Sequence, residues 1–354
     1  MNFCSDNVTG IAPEILSALI AANAGTAMPY GNDALTQRLE GQLADLFETD
    51  VEIFPVATGS AANALALSVL SPSYGAIYCH TDSHINVDEC GAPEFYSGGA
   101  KLVTLPGING KLSADGLDSA LKKGGTGVVH HVQPAAVSIT QATEAGTVYR
   151  LAEVQAIAQV THAHGLRLHM DGARFANAIV SLGCSPADVT WRSGVDVLSF
   201  GATKNGALAA EAVVFFKQGY GDELGYRRKR GGHLFSKMRF LSAQLEAYLT
   251  DDLWLRNATH ANQMAQILSA GLSVLPDVRL CYPVEANELF AVFPEAVIMG
   301  LLAEGFQFYR WDGDEGTLVR LVTAFNTSEA DVNTFLECTQ RYIRHSSGKV
   351  LADV

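Results

Sequence analysis

Short apolar runs alternate with segments of helical period through most of this 354-residue chain, and few architectures accept that order of elements. Residues 53–56, 76–79, 101–105, 127–132, 166–170, 195–200 and 212–216 read as strands, and residues 34–48, 60–70, 113–122 and 149–164 as helices. In the last of these helices Leu151, Val154, Ile157, Ala158 and Thr161 fall on one face, and Gly165 ends the helix. Such alternation predicts an α/β fold with a mainly parallel central sheet. Ligands of such folds bind at the carboxyl ends of the strands.

From residue 252 the texture changes. A long helix over 253–272 precedes strand-like pieces at 288–293 and 318–324, a helix over 329–342 and a frayed tail at 346–354. The chain is therefore expected to form an N-terminal segment plus large unit, 1–251, and a smaller α+β unit, 252–354. A composition of 48% hydrophobic and 17% charged residues excludes disorder. The net charge of −13 argues against nucleic acid or an anionic membrane as partner. A phosphate-bearing ligand would have to be held by local cations and backbone amides. Cys4, Cys79, Cys90, Cys184, Cys281 and Cys338 form no C-x-x-C pair and read as reduced, mostly buried thiols. No basic-apolar leader and no apolar run of about 18 residues is present, so a cytoplasmic protein is expected. No His, Glu and Asp set has metal-ligand spacing, and no metal is expected.

Two strand ends carry the chemistry. Val197-Leu198-Ser199-Phe200-Gly201-Ala202-Thr203-Lys204 ends in a lysine beside small residues, and His169-Met170-Asp171-Gly172-Ala173-Arg174 ends in an acid, a glycine and an arginine. A buried ammonium without a partner costs several kcal/mol, so a lysine so placed has a task. An amine and a carboxylate at two strand mouths suit pyridoxal phosphate: Lys204 forms the imine, and Asp171 keeps the ring nitrogen protonated. Arg174 could contact the cofactor or the substrate, or balance Asp171. In Thr58-Gly59-Ser60-Ala61-Ala62-Asn63 the turn before a helix offers N–H groups to a phosphate, although the same turn is also an ordinary helix cap. His84 could stack on a cofactor ring or act as a base; His130, His131 and His169 are weaker candidates. Arg320, inside the apolar run 317–323, calls for a ligand carboxylate or a partner. Arg310 and the cluster Arg227-Arg228-Lys229-Arg230 read as solvated, with one of the cluster placed to reach a phosphate across a subunit boundary.

These motifs, with Phe3-Cys4-Ser5-Asp6-Asn7, Pro29-Tyr30-Gly31-Asn32-Asp33 and Glu144-Ala145-Gly146-Thr147-Val148-Tyr149, resemble almost end to end the L-threonine aldolase family, including its phenylserine aldolases, among the fold-type I pyridoxal phosphate enzymes. The resemblance implies retro-aldol cleavage of β-hydroxy-α-amino acids to glycine and an aldehyde. It makes Lys204, His84 and Asp171 catalytic, and Gly59, Ser60, Ala61, His84, Asp171, Arg174 and Lys204 cofactor ligands. Ser5, Tyr30, Arg174 and Arg320 would bind substrate, with Tyr30 near a neighbouring subunit's site in a homo-oligomer (dimer or tetramer). A β-eliminating lyase or an aminotransferase acting on a small amino acid would use the same lysine and aspartate. Three positions depart from the family pattern: Ser60-Ala61 replaces Thr-Gln, Glu144 stands for a histidine and Phe235 for an arginine. The last two imply a preference for bulky or aromatic β-substituents.

Overall fold

The structure, a computed structural model, describes residues 1–216, 219–311 and 316–350. Seven strands form the central sheet: β1 (Glu52–Val56), β2 (Gly75–His80), β3 (Lys101–Leu105), β4 (Gln133–Thr140), β5 (Arg167–Gly172), β6 (Val197–Gly201) and β7 (Glu211–Phe215). Their spatial order is β1-β7-β6-β5-β4-β2-β3. The pairs from β3 to β6 are parallel, and β7 runs antiparallel to both β6 and β1. The reversal has a simple cause: residues 202–210 are fewer than the dozen or so that a parallel crossover needs. Two reversals restore the direction, so β1 points the same way as β6. The carboxyl ends of β1, β2, β5 and β6 thus share one edge of the sheet. β5, β6 and β7 are almost wholly buried, so the polar residues they do carry, His169, Asp171, Ser199 and Glu211, lie in the interior.

A second, wholly antiparallel sheet contains β8 (Arg279–Leu280), β9 (Glu288–Val292), β10 (Tyr309–Arg310) and β11 (Leu318–Val322), in the order β10-β11-β9-β8. Helices Leu253–Ser273, Glu295–Ala303 and Glu329–Val350 supply it with a separate apolar cluster that includes Leu268, Phe293, Val297 and Phe335. Phe3 joins that cluster, edge-on to Phe335 at 5.2 Å. Its N–H donates to Gln307 O and its carbonyl accepts from Val322 N–H, so the N-terminal segment is stitched to the small sheet.

Several expectations need correction. The run 127–132 is a turn, not a strand: Gly125 and Gly127 take φ of 72° and 80°, and Val129 is 92% exposed. The strand proper, β4, is less apolar and carries Pro134 at its second position, where the register against β2 shifts. His130 and His131 accordingly lie in that turn. Helices Pro13–Ala22, Gly221–Arg230, Arg239–Leu249 and Glu295–Ala303 were not foreseen. The last helix runs on to Val350, past the expected 342, and residues 351–354 of the expected tail lie outside the described residues. All six cysteines are free, but only Cys79 and Cys338 are buried and Cys90 is exposed. Among the described residues no helix is long and apolar enough to cross a membrane.

Candidate active site

Lys204 lies in the short 3₁₀ turn Thr203–Asn205 that follows β6. That turn is fixed from below: Asn205 Nδ2 donates to Tyr248 Oη (2.7 Å) and to Trp254 O (2.8 Å). Gly206 closes it at φ 112°, where a Cβ would stand 3.0 Å from that of Ala12. Asp171 ends β5, beside β6, in register with Ser199. Parallel pairing of these two strands is what puts amine and carboxylate at one sheet edge. Both line a cavity of about 250 Å³, together with Gly59, Ser60 and His84 from the ends of β1 and β2.

The acid of this cavity is held by neighbours that sequence reasoning missed. Asn63 Nδ2 donates to Asp171 Oδ2 (2.8 Å) and to Glu89 Oε1 (2.9 Å), and Ala173 N–H donates to Asp171 Oδ1 (3.0 Å). His84 Nδ1 meets the same Glu89 oxygen at 2.8 Å, which leaves Nε2 free of Glu89. That hydrogen bond raises the His84 pKa, against burial, while burial raises that of Glu89. Glu211, at the start of β7 and also on the cavity, is pushed by burial to about 7; its Oε2 accepts from Ala202 N–H (2.9 Å). His169, two residues before Asp171, sits between Ser138 Oγ and Ser199 Oγ, each at 2.9 Å. Burial lowers it to about 4, so it is a neutral clip across three strands.

Helix Gly59–Leu70 begins at the cavity. Its N-cap Thr58 accepts from Ala61 N–H at 3.1 Å, so Ala61's amide is already taken. The N–H groups of Gly59 and Ser60 have no acceptor among the described residues, and a Cβ on Gly59 would meet nothing within 4 Å. Two open amides at a helix N-terminus suit a phosphate. Lys204 Nζ likewise has no hydrogen bond or ion pair among the described residues. The open amides, the unpaired amine and the anchored carboxylate together fit pyridoxal phosphate.

Arg174, Arg320 and Ser5 gather next door rather than in this cavity. Arg174 Nε and Nη2 donate to Asp6 Oδ2 (2.7 Å) and Oδ1 (3.1 Å), and Nη1 lies 3.4 Å from Glu288. Arg320 Nη1 is 3.4 Å from Glu288 as well, and Nη2 donates to Cys4 O at 3.0 Å. Neither Glu288 oxygen has a hydrogen-bond partner, and burial raises its pKa against the pull of Arg174 and Arg320. For Asp6 burial also acts upward, but Arg174, Lys204 and Asn287 outweigh it and lower the pKa. Ser5 caps the turn Asp6–Val8 and accepts from Asn7 N–H at 3.1 Å. Tyr30 stands apart, exposed, with Lys229 Nζ 4.7 Å from its ring, and Phe235 lines neither this cavity nor its neighbour beside Glu144. Arg310 is not solvated but pairs with Glu295 at 2.8 Å. Nor is Arg228: it is buried against Phe54, donates to Pro55 O (3.2 Å) and is lowered by burial to about 10.

A strand-end lysine and aspartate over one cavity, on a sheet of this order with a small antiparallel unit behind it, define a pyridoxal phosphate enzyme of fold type I. Residues 2–295 match the family described as beta-eliminating lyase. The low specificity L-threonine aldolase of Pseudomonas sp. (strain NCIMB 10558) is 46% identical over 93% of this chain and 94% of its own length. That of Pseudomonas aeruginosa is 47% identical over 89% and 90%. A solved threonine aldolase structure from Leishmania major superposes with a TM-score of 0.90 at 30% identity, covering 97% of this chain and 99% of that one. The chain belongs to the beta-eliminating lyase family and, within it, to the threonine aldolases; it is a pyridoxal phosphate-dependent lyase.

Proposed function

We propose that the chain cleaves L-threonine, L-allo-threonine and L-phenylserine to glycine and an aldehyde. The observation that carries this reading is the single cavity shared by Lys204, Asp171 and His84. When bound, pyridoxal phosphate supplies an electron sink for the pair released as the Cα–Cβ bond breaks. Lys204 Nζ is the amine that holds it, and Asp171 holds a proton at the ring nitrogen. Gly59 and Ser60 give their N–H groups to the phosphate. His84 Nε2 takes the proton of the β-hydroxyl, directly or through a water, while Glu89 keeps the ring oriented from the other side. Arg320, which shares Glu288 with Arg174, would bind the α-carboxylate together with Arg174 and Ser5 and so orient the bonds at Cα.

A separate apolar cluster on the small sheet supports two units, 1–251 and 252–354, with Phe3 crossing into the small cluster and Leu253, Trp254 and Ala258 into the large one. Exposed Phe95 and Tyr226, on helices joined by Arg227 Nη1 to Tyr96 O, support a homo-oligomer, a dimer or tetramer, that covers them and brings Tyr30 to a neighbour's site. Sedimentation of the Phe95→Asp, Tyr226→Asp variant should show smaller species; an unchanged value would reject that surface. The free thiols support a cytoplasmic location.

The test of the reaction is product analysis. Holoenzyme given threonine should release glycine and acetaldehyde in equal amounts; ammonia and a keto acid instead would reject it. Lys204→Ala should lose turnover and the visible absorbance of the lysine-bound cofactor, and retention of that absorbance would rule Lys204 out.

A further inference from the structure

A second cavity of about 290 Å³ adjoins the Lys204 site and has no part in the roles given above. The short helix His84–Val87 lines both, with His84 on the first and Val87 on the second. Three aromatic side chains form its wall. Tyr282 meets Phe290 edge-on at 5.5 Å and 87°, and Phe290 meets Trp311 at 5.4 Å and 75°. Trp311 also covers the Arg320 guanidinium, whose carbon lies 4.7 Å from the ring centre. Glu144 lines the same space and lies close enough to His84 and Arg174 to favour their charged forms. The cavity is therefore flanked by the residue proposed to meet the β-hydroxyl and the one proposed to meet the α-carboxylate. A group on Cβ between those two anchors has this space beside it.

We infer that this aromatic cavity is the subsite for the Cβ substituent and that it selects uncharged aryl groups. The inference rests on the reaction proposed above. Its volume exceeds the roughly 150 Å³ that accommodates benzene in an engineered protein cavity. Edge-to-face rings offer a phenyl group the geometry aromatic pairs favour. Asp82, Asp88 and Glu144 set three carboxylates around it, so an anionic substituent meets like charge while a hydroxyl finds acceptors. A methyl group, as in threonine, leaves most of the wall untouched.

The experiment compares kcat/KM of the holoenzyme for L-threonine, L-phenylserine and 4-carboxyphenylserine, in the wild type and in Trp311→Ala and Tyr282→Leu. The phenylserine-to-threonine ratio should fall at least tenfold in each variant, chiefly through KM, and Trp311→Phe should recover most of it. The 4-carboxy compound should be at least tenfold poorer than phenylserine. Calorimetric titration with unreactive L-phenylalanine and L-alanine reads the same preference without turnover, and the ratio of their affinities should fall in parallel. An unchanged phenylserine-to-threonine ratio in both variants, or equal cleavage of the anionic compound, would overturn the assignment. Should the wild type cleave none of the three, the reaction itself is rejected, and the calorimetric ratio still decides on the cavity.

Discussion

His84 shows how much of a residue's chemistry lies in its neighbours. The ring is foreseeable as a stacking group or a base, but its proton affinity is set by Glu89, itself buried and raised. A base must be neutral to act, so kcat/KM should climb as pH rises through the His84 pKa of the free enzyme, at a pH above that of an ordinary imidazole. Glu89→Gln removes the anion that favours the charged ring, and the acid limb of the pH profile should move to lower pH. An unmoved limb would assign it to another group. Glu288 and Arg320 offer a parallel case. An arginine in an apolar strand announces that something must meet it, and the facing strand β9 opens on an equally conspicuous glutamate. Read together, the two charges in apolar runs signal a pair across β9 and β11, although the sequence gives no register to join them. Asn63, the one amide in a helix of small and apolar residues, is the remaining clue, and its bond to Asp171 spans 108 residues.

At the level of elements, the helix from Gly59 carries two tasks in its first turn. Thr58 Oγ1 satisfies Ala61 N–H, which both starts the helix and leaves Gly59 and Ser60 N–H open. Thr58→Ala should cost about 1 kcal/mol of stability, seen in denaturant unfolding. It should also weaken pyridoxal phosphate binding to the apoenzyme, read by equilibrium dialysis. Loss of stability with unaltered cofactor affinity would show that the cap serves the fold alone. The strand misplaced at 127–132 carries a related lesson. Apolarity alone favoured Val128, Val129 and Val132, but Gly124-Gly125-Thr126-Gly127 turns there, and Pro134 hides the true strand behind a residue that strands seldom admit.

Across the whole molecule, the N-terminal segment is the tie between the two units. Phe3 is buried in the small apolar cluster, Cys4 O holds Arg320, and Asp6 holds Arg174. Phe3→Ala should destabilise by about 3–5 kcal/mol through the cavity it leaves. Because Cys4 and Asp6 set the two guanidiniums, KM for threonine should rise more than kcat falls; stability lost with KM unchanged would separate the anchor from the site. By itself the sequence determined the class of fold, the cofactor, and the lysine, aspartate and histidine of the cavity. Periodicity, turn residues and strand-end chemistry are local signals, and each is written within a few residues. Tertiary structure alone decided that Arg174 and Arg320 share Glu288, that Asp6 grips Arg174, and that Tyr282, Phe290 and Trp311 close one wall. Those contacts join residues far apart in the chain. Their geometry depends on strand order and register, which the sequence of a single strand does not encode.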